Sequence, residues 1–395
     1  MVLRASGWLV LFAACKGSGS LVGPDGGGAG DADTDSDTDG DADADTDADT
    51  TDTDDTDDTD DTDPPAVEFV FDAAHVLVVP TNDGVSLLAN DGTIVHSWTW
   101  NALVGACSGC TGEGASPDGD GLLVSWAGDG NNQGVARIAN DATVEWVIKG
   151  MEFPHDAIRD LDGSILVPEA FDNSVRWYAG DGSSETPIRS LDDDTAGWNQ
   201  SLPNGSERLD YAGRSYLLVS NRGAGMPVVG RISMWDITDV GAPSHVWTYP
   251  SSGSLDTPHG PVFRQYLGQW YLLYAHSYGG PDGDGSVGVA MASDPTVLPE
   301  YAADLVPRAP VGPFDFLRGV ELTSDGMLWM TDSGPELGGA NEGRVMSAPF
   351  PVVVPDGSIG NKDDVDYVEM PDTVLVAGGI DNPFEGWLWF PTIQY

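Results

Sequence analysis

Two histidines in this chain each follow a proline at the head of an extended run. "FPHDAIRDLDGSILVPEA" sets His155 before an Asp-Gly turn and an apolar strand, and "TPHGPVFRQYLGQWYLLYAHS" does the same for His259. Proline fixes φ, so the side chain that follows it is pre-positioned. Imidazole acts as nucleophile, acid or base near neutral pH. Arg318 of "RGVELTSDGMLWMTDSG" stands at the matching place in a later segment and offers a bidentate fork for anionic oxygens. With Asn204 as a further donor, the set suits transfer of a sulfuryl or phosphoryl group. His259, followed by Gly260 and so with room for a bulky donor, reads as the nucleophile. His155 reads as the acid and Arg318 as the holder of the transferred group. His75, His96 and His245 fall at blade edges or in outer strands and receive no role. The chain has no GxSxG nucleophile elbow, no Walker loop and no GxGxxG in a strand-to-helix context.

These residues sit in a drifting repeat. Strand, Asp-Gly turn, strand, loop, strand recurs from Gly112, His155, Asn204, His259 and Arg318, with an opening partial copy from His75 that lacks its first strand. A period of about 40 to 60 residues with up to four short strands is the signature of propeller blades. The expectation is an all-β, six-bladed β-propeller over residues 67–395. The C-terminal "TVLVAGGIDNPFEGWLWFPTIQY" supplies the strand that the first copy lacks. Closure of this kind removes exposed sheet edges. The 51 glycines, 13 tryptophans and absence of a sustained helical period agree with this class.

In a propeller the first strand of each blade lines the central channel and the second runs back. First-strand starts and second-strand ends then share one mouth. The starts are Glu113, His155, Asn204, His259 and Arg318; the ends are Glu169, Asn221 with Arg222, His276 and Asp332. Glu113, Asn204, Asn221 and His276 are the expected substrate-binding residues. No metal is required by this reading. The alternative is calcium held by Glu169, Asn221 and Asp332 as oxygen ligands of a propeller hydrolase. A third reading is a surface propeller that binds a ligand or protein without turnover.

"GVSLLANDGTIVHSWTW", "FPHDAIRDLDGSILVPEA", "TPHGPVF" and "RGVELTSDGMLWMTDSG" resemble, in that order, the motifs of bacterial arylsulfotransferase-like propellers. The resemblance implies a six-bladed fold in which a histidine carries a sulfuryl group from an aryl sulfate donor to a phenolic acceptor. By motif position His155 and His259 match family histidines, Arg318 matches an anion-holding arginine, and Asn204 matches an assisting asparagine. A single histidine stands at 155 where the family often has a doubled pair.

The remaining sequence fixes where such a domain would work. Residues 1–15 have a basic Arg4, a short apolar run and small residues before Cys15, the layout of a lipoprotein signal in which Cys15 is acylated. Residues 16–66 form an Asp/Thr-rich stalk with no apolar residue larger than alanine between Asp31 and Asp63, so disorder is expected there. Asp33, Asp35, Asp37, Asp39 and Gly40 start like a calcium loop but lack its distant glutamate. The net charge is −48, and residues 1–63 account for −17 of it. A folded part that acidic repels nucleic acid and anionic membrane surfaces. The expected protein is a monomer in the bacterial cell envelope, on an outer-membrane lipid anchor facing the periplasm or the surface. Cys107 and Cys110, the two other cysteines, are expected to form a local disulfide in that oxidising compartment.

Overall fold

Alternating apolar strands and tight turns build six small antiparallel sheets. The computed structural model describes residues 76–389 except 90, 108, 129, 140, 142, 193–201, 223–229, 280–284, 309–310, 334–342, 352, 354–366, 371 and 381–386. The lipoprotein signal, Cys15, the stalk and the Asp33–Asp39 segment lie outside the described residues.

The first blade holds β1 (Val76–Pro80), β2 (Gly84–Leu88) and β3 (Ile94–Thr99), followed by the short helix α1 (Trp100–Val104). The second has β4 (Thr111–Asp118), β5 (Gly121–Ala127), β6 (Gly134–Ile138) and β7 (Val144–Lys149). The third has β8 (Ile158–Arg159), β9 (Ile165–Glu169), β10 (Ser174–Tyr178) and β11 (Arg189–Asp192). The fourth has β12 (Pro203–Tyr211), β13 (Arg214–Asn221), β14 (Arg231–Asp236) and β15 (Ser244–Tyr249). The fifth runs β16 (Pro258–Tyr266), β17 (Gln269–His276), β18 (Ser286–Ala292), β19 (Glu300–Pro307). The sixth starts with β20 (Leu317–Leu322), β21 (Met327–Asp332) and β22 (Gly343–Pro349). The chain then adds β23 (Tyr367–Met370) as a parallel edge on β19, β24 (Val374–Ile380) on β22, and β25 (Trp387–Trp389) on β1.

That last pairing, Val76 with Trp389 and Val78 with Trp387, gives the first blade its innermost strand and closes the ring. The innermost strands touch in the cycle β25, β4, β8, β12, β16, β20 and back to β25. Six apolar clusters fill the six junctions between successive blades. Trp126 and Leu122 face the first blade's Leu87 and Trp98, and Phe263 and Tyr274 face the fourth blade's Leu218 and Met234. The sixth cluster sets Val79 and Leu88 against Trp329 and Val345, sealing first blade to last. The protein is therefore a six-bladed β-propeller. Each blade packs both faces of its sheet against its neighbours, and the second strands β5, β9, β13 and β17 are accordingly buried, largely apolar runs.

Of the inner hairpins that turn on two residues, two have both turn residues in the left-handed region. Ala212-Gly213 and Leu267-Gly268 all have positive φ, between 50° and 81°. Such turns match the right-handed twist of the strands they join. Cys107 and Cys110 are joined as a disulfide, their Cα atoms 5.8 Å apart, after α1.

Candidate functional site

Register, more than residue type, builds the site. In five blades the innermost strand carries one residue too many just inside its start. Gly112 pairs with Trp126 and Gly114 with Ser125, which bulges out Glu113. Asn204 is bulged between Pro203 and Gly205, and Arg318 between Leu317 and Gly319. His259 pairs with Ala275 while Val262 pairs with Leu273. Pro154 bridges Glu169 while Ile158 pairs with Leu166, so the segment holding His155 has the same excess. A bulge interrupts the ladder and re-aims the side chains beside it.

The backbone confirms that the positions are equivalent. The amides of Ala170, Arg222, Ser277 and Ser333, each just past a second strand, donate to the carbonyls of Phe153, Leu202, Thr257 and Phe316. The residue two places on from each carbonyl is His155, Asn204, His259 or Arg318. Phe153 and Thr257 have φ of 60° and 53°, left-handed values that are a genuine outlier for a β-branched threonine. Pro154 and Pro258 steer the residue before them away from the right-handed helical well. Strain of about 1–3 kcal/mol therefore sits two residues before each histidine. A close approach also matters here: a Cβ on Gly114 would lie 2.5 Å from the carbonyl oxygen of His155.

The five starts converge. The rings of His155 and His259 lie with centroids 6.1 Å apart. Asn204 Nδ2 is 3.3 Å from both ring nitrogens of His259, and its Oδ1 accepts the Ser220 hydroxyl at 2.9 Å. That hydroxyl fixes the amide so that its NH₂ faces the imidazole. Arg318 places its guanidinium 4.5 Å from the centroid of Phe316, whose ring meets His259 and Tyr278 edge-on. Glu113 Oε1 accepts the Thr111 hydroxyl at 3.1 Å, and Oε2 lies 3.7 Å from His155 Nδ1. Phe153 stacks on Phe171 and meets His155 edge-on.

Protonation follows from burial and two arginines. Burial first, then the charges of Arg318 and Arg222, push His155 down to about 3. Burial, Arg318, His155 and Arg222 hold His259 well below its usual range. Burial drives the Glu113 carboxyl up to about 8, against the pull of Arg318. The contact between Glu113 and His155 therefore joins two neutral groups at neutral pH. Arg318 and Arg222 supply positive charge there, and an anionic ligand complements it.

The second-strand ends other than Arg222 make contacts of a different kind. His276 accepts the Asp256 N–H on Nε2 at 2.7 Å and faces Asp304 through Nδ1 at 3.2 Å, so both nitrogens are engaged within its own blade. Glu169 takes the Glu152 N–H at 2.8 Å, the Tyr178 hydroxyl and Arg176. Asp332 takes the Phe316 N–H at 2.7 Å, the Asp315 N–H and Arg344. Asn221 is buried in register with Pro203 and Arg231. Among the described residues no three His, Cys, Asp or Glu side chains cluster as a metal site. These ends brace the loops that carry the first-strand residues.

Arg222, placed at the mouth by the sequence but given no task there, belongs to the site, as do Tyr278, Phe316 and Phe153, which the sequence did not single out. The signal was the recurring triplet Phe153-Pro154-His155, Leu202-Pro203-Asn204, Thr257-Pro258-His259, Phe316-Leu317-Arg318. A deeper buried layer was also missed. Arg264 bridges Glu207 and Glu321 across three blades, and Asp156 takes the Ala157 N–H at 2.8 Å and the Ser206 hydroxyl at 3.5 Å.

No family model matches the chain, and no curated protein matches it. Solved structures are similar to the chain at low identity. One, from a nidogen–laminin complex, is 10% identical over 80% of this chain and 98% of its own, with a TM-score of 0.49. The periplasmic gluconolactonase of Pseudomonas aeruginosa is 11% identical over 80% and 99%, with a TM-score of 0.46. A catalytically inactive virginiamycin B lyase from Staphylococcus aureus, solved with quinupristin, is 14% identical over 79% and 95%, with a TM-score of 0.42.

Proposed function

We propose that the channel mouth is a transferase site for small anionic esters, in which a sulfuryl group passes from an aryl sulfate to His259 and on to a phenol. One observation carries the reading. Two uncharged imidazoles and a buried arginine meet at one mouth, and Asn204 is fixed against the histidine assigned to attack. An uncharged imidazole keeps the lone pair that a nucleophile needs. Burial and the arginines keep it uncharged, and the same arginines neutralise the sulfuryl oxygens that His259 must approach. Phe316 and Tyr278 give the aromatic part of the ester an apolar seat. The reading brings with it the lipid-tethered envelope protein of the sequence analysis.

The test is turnover of a chromogenic aryl sulfate in the presence of an acceptor phenol. His259→Ala should abolish transfer, and Arg318→Met should slow it by about 100-fold or more, the usual cost of one well-placed donor. His96→Ala, in the outer strand β3, should leave the rate alone. A covalent intermediate also requires ping-pong kinetics. His259 is only 3% exposed, which favours a second reading: an anion is held at the mouth without reaction. Sulfate binding that needs Arg318, with no turnover of any aryl sulfate or phosphate, would establish that reading instead.

A further inference from the structure

Resting on that transferase reading, we propose that Glu113, acting through His155, is the proton store that discharges the phenolate leaving group and later accepts the proton of the acceptor phenol.

The sequence assigned the acid to His155, and its surroundings argue against that. Arg318 and Arg222 both oppose an imidazolium there, and the ring is buried. A neutral imidazole still carries protons, because it can take one on Nδ1 while giving up the one on Nε2. Glu113 stands on the Nδ1 side. Its carboxyl is 1% exposed, bulged toward the mouth on β4. One oxygen is held by Thr111, and Oε2 has no hydrogen-bond partner among the described residues. A buried polar atom without a partner is costly and demands a role. Arg318 and His155 are the charged or titratable groups that face this carboxyl from the neighbouring strands. Burial keeps the proton on it up to about 8, so a carboxylic acid is present at neutral pH.

The step balances. The His259 lone pair forms the N–S bond as the S–O bond to the ring breaks, and that bonding pair stays on the phenolic oxygen. His155 Nε2–H passes its proton to this oxygen while Glu113 gives its own to Nδ1. The products are a phenol, a sulfuryl-imidazolium and a Glu113 carboxylate. In the second half the acceptor phenol loses its proton along the reverse path as its oxygen attacks sulfur, and the N–S pair returns to His259. No oxidant or outside base is needed.

The experiment compares Glu113→Gln with wild type on two donors and by infrared spectroscopy. Para-nitrophenolate leaves without a proton, whereas para-cresolate needs one. Glu113→Gln should therefore lose about 100-fold or more in kcat on para-cresyl sulfate, within the range of general acid catalysis. It should lose only a few-fold on para-nitrophenyl sulfate, with KM little changed on both. Wild-type turnover of the cresyl ester should fall as pH rises through about 8, and the variant should lack that limb. Equal losses on both donors would overturn the proposal. The infrared arm needs no turnover. The wild-type minus Glu113→Gln difference spectrum should show a protonated carboxyl band that titrates away near 8, and an ionised carboxylate at neutral pH would overturn the proposal. An inactive wild type with that band present would sink the transferase reading and leave the buried acid standing.

Discussion

Replacing Arg264 with methionine tests the layer beneath the mouth. Arg264 Nε and Nη2 each donate to Glu321 at 2.6 Å, and Nη1 donates to Glu207. Glu207 Oε2 in turn accepts the Phe263 N–H at 2.7 Å. All three side chains are buried, and they join β12, β16 and β20. Methionine keeps the length and apolar stem but leaves two carboxylates facing each other without a cation. Breaking a buried ion group by removing one partner costs about 3–5 kcal/mol. In a propeller of this size that is a fall in Tm on the order of 10 °C. The cost should depend on pH. Burial already drives Glu207 up to about 7 and Glu321 adds to it, while Arg264 pulls it down. Without Arg264 the carboxyl climbs further, so mild acid neutralises the defect and alkaline solution exposes it. Thermal melts followed by circular dichroism should show a much larger loss well above neutrality than in mild acid. Arg264→Met combined with Glu321→Gln should recover part of the alkaline loss. Equal losses at both ends of the pH range, or no recovery in the double variant, would refute the ionic account.

Wild-type stability should fall as pH climbs from 6.5 through 8. The folded chain retains protons on Asp156 and Glu207 to about 7 and on Glu113 to about 8, whereas the unfolded chain releases them near the ordinary values of 3.8 and 4.5. His155 and His259 have depressed values and oppose this only below their ordinary 6.5, so a Tm that rises across 6.5 to 8 would contradict the assignments. Thr257→Gly should relieve the left-handed strain before His259, holding or slightly raising Tm, yet lower kcat because the histidine loses its fixed approach; equal kcat in both would show that the strain positions nothing. The Cys107→Ser/Cys110→Ser variant should lose about 2 kcal/mol, the loop-closure value for so short a ring, and keep its turnover. Labelled fatty acid should enter the wild type and not Cys15→Ser, and equal labelling would reject the lipid anchor.

The ring was legible because its signals are local. Glycine-bearing turns between strand-like runs repeat at a readable period, and a C-terminal apolar run matched an opening copy short of one strand. The convergence of Glu113, His155, Asn204, His259 and Arg318 followed once those runs were aligned, because equivalent strand starts in a ring point at one axis. What the alignment did not show is that Glu169, His276 and Asp332 bond the backbone before the adjacent first strand. A shift of one residue in a strand pair exchanges the two faces of the sheet. The bulges that add this residue depend on hydrogen bonds to a partner strand and leave little trace in composition. Protonation was equally out of reach, since an acid role for His155 looks sound until burial and two arginines surround it. The Glu207–Arg264–Glu321 layer joins residues 57 apart on different blades, beyond any local pattern.

The site and its support divide the work between the two strands of each inner hairpin. A bulge gives up regular pairing, and left-handed Phe153 and Thr257 add strain at the same turns. Such a defect persists only where the surroundings over-determine it. Here the second-strand ends do so: Glu169, His276 and Asp332 each accept the backbone N–H of a residue just before the neighbouring first strand. Glu169, His276 and Asp332 therefore hold the bulges in place. Glutamate, histidine and aspartate serve equally, since each needs only a buried acceptor. The first-strand residues show no such freedom, because each occupies the common mouth with its own chemistry: one acid, two imidazoles, one amide and one guanidinium. A scaffold needs only the acceptors. The five groups at the mouth, of four chemical kinds, suit the anionic ester proposed above.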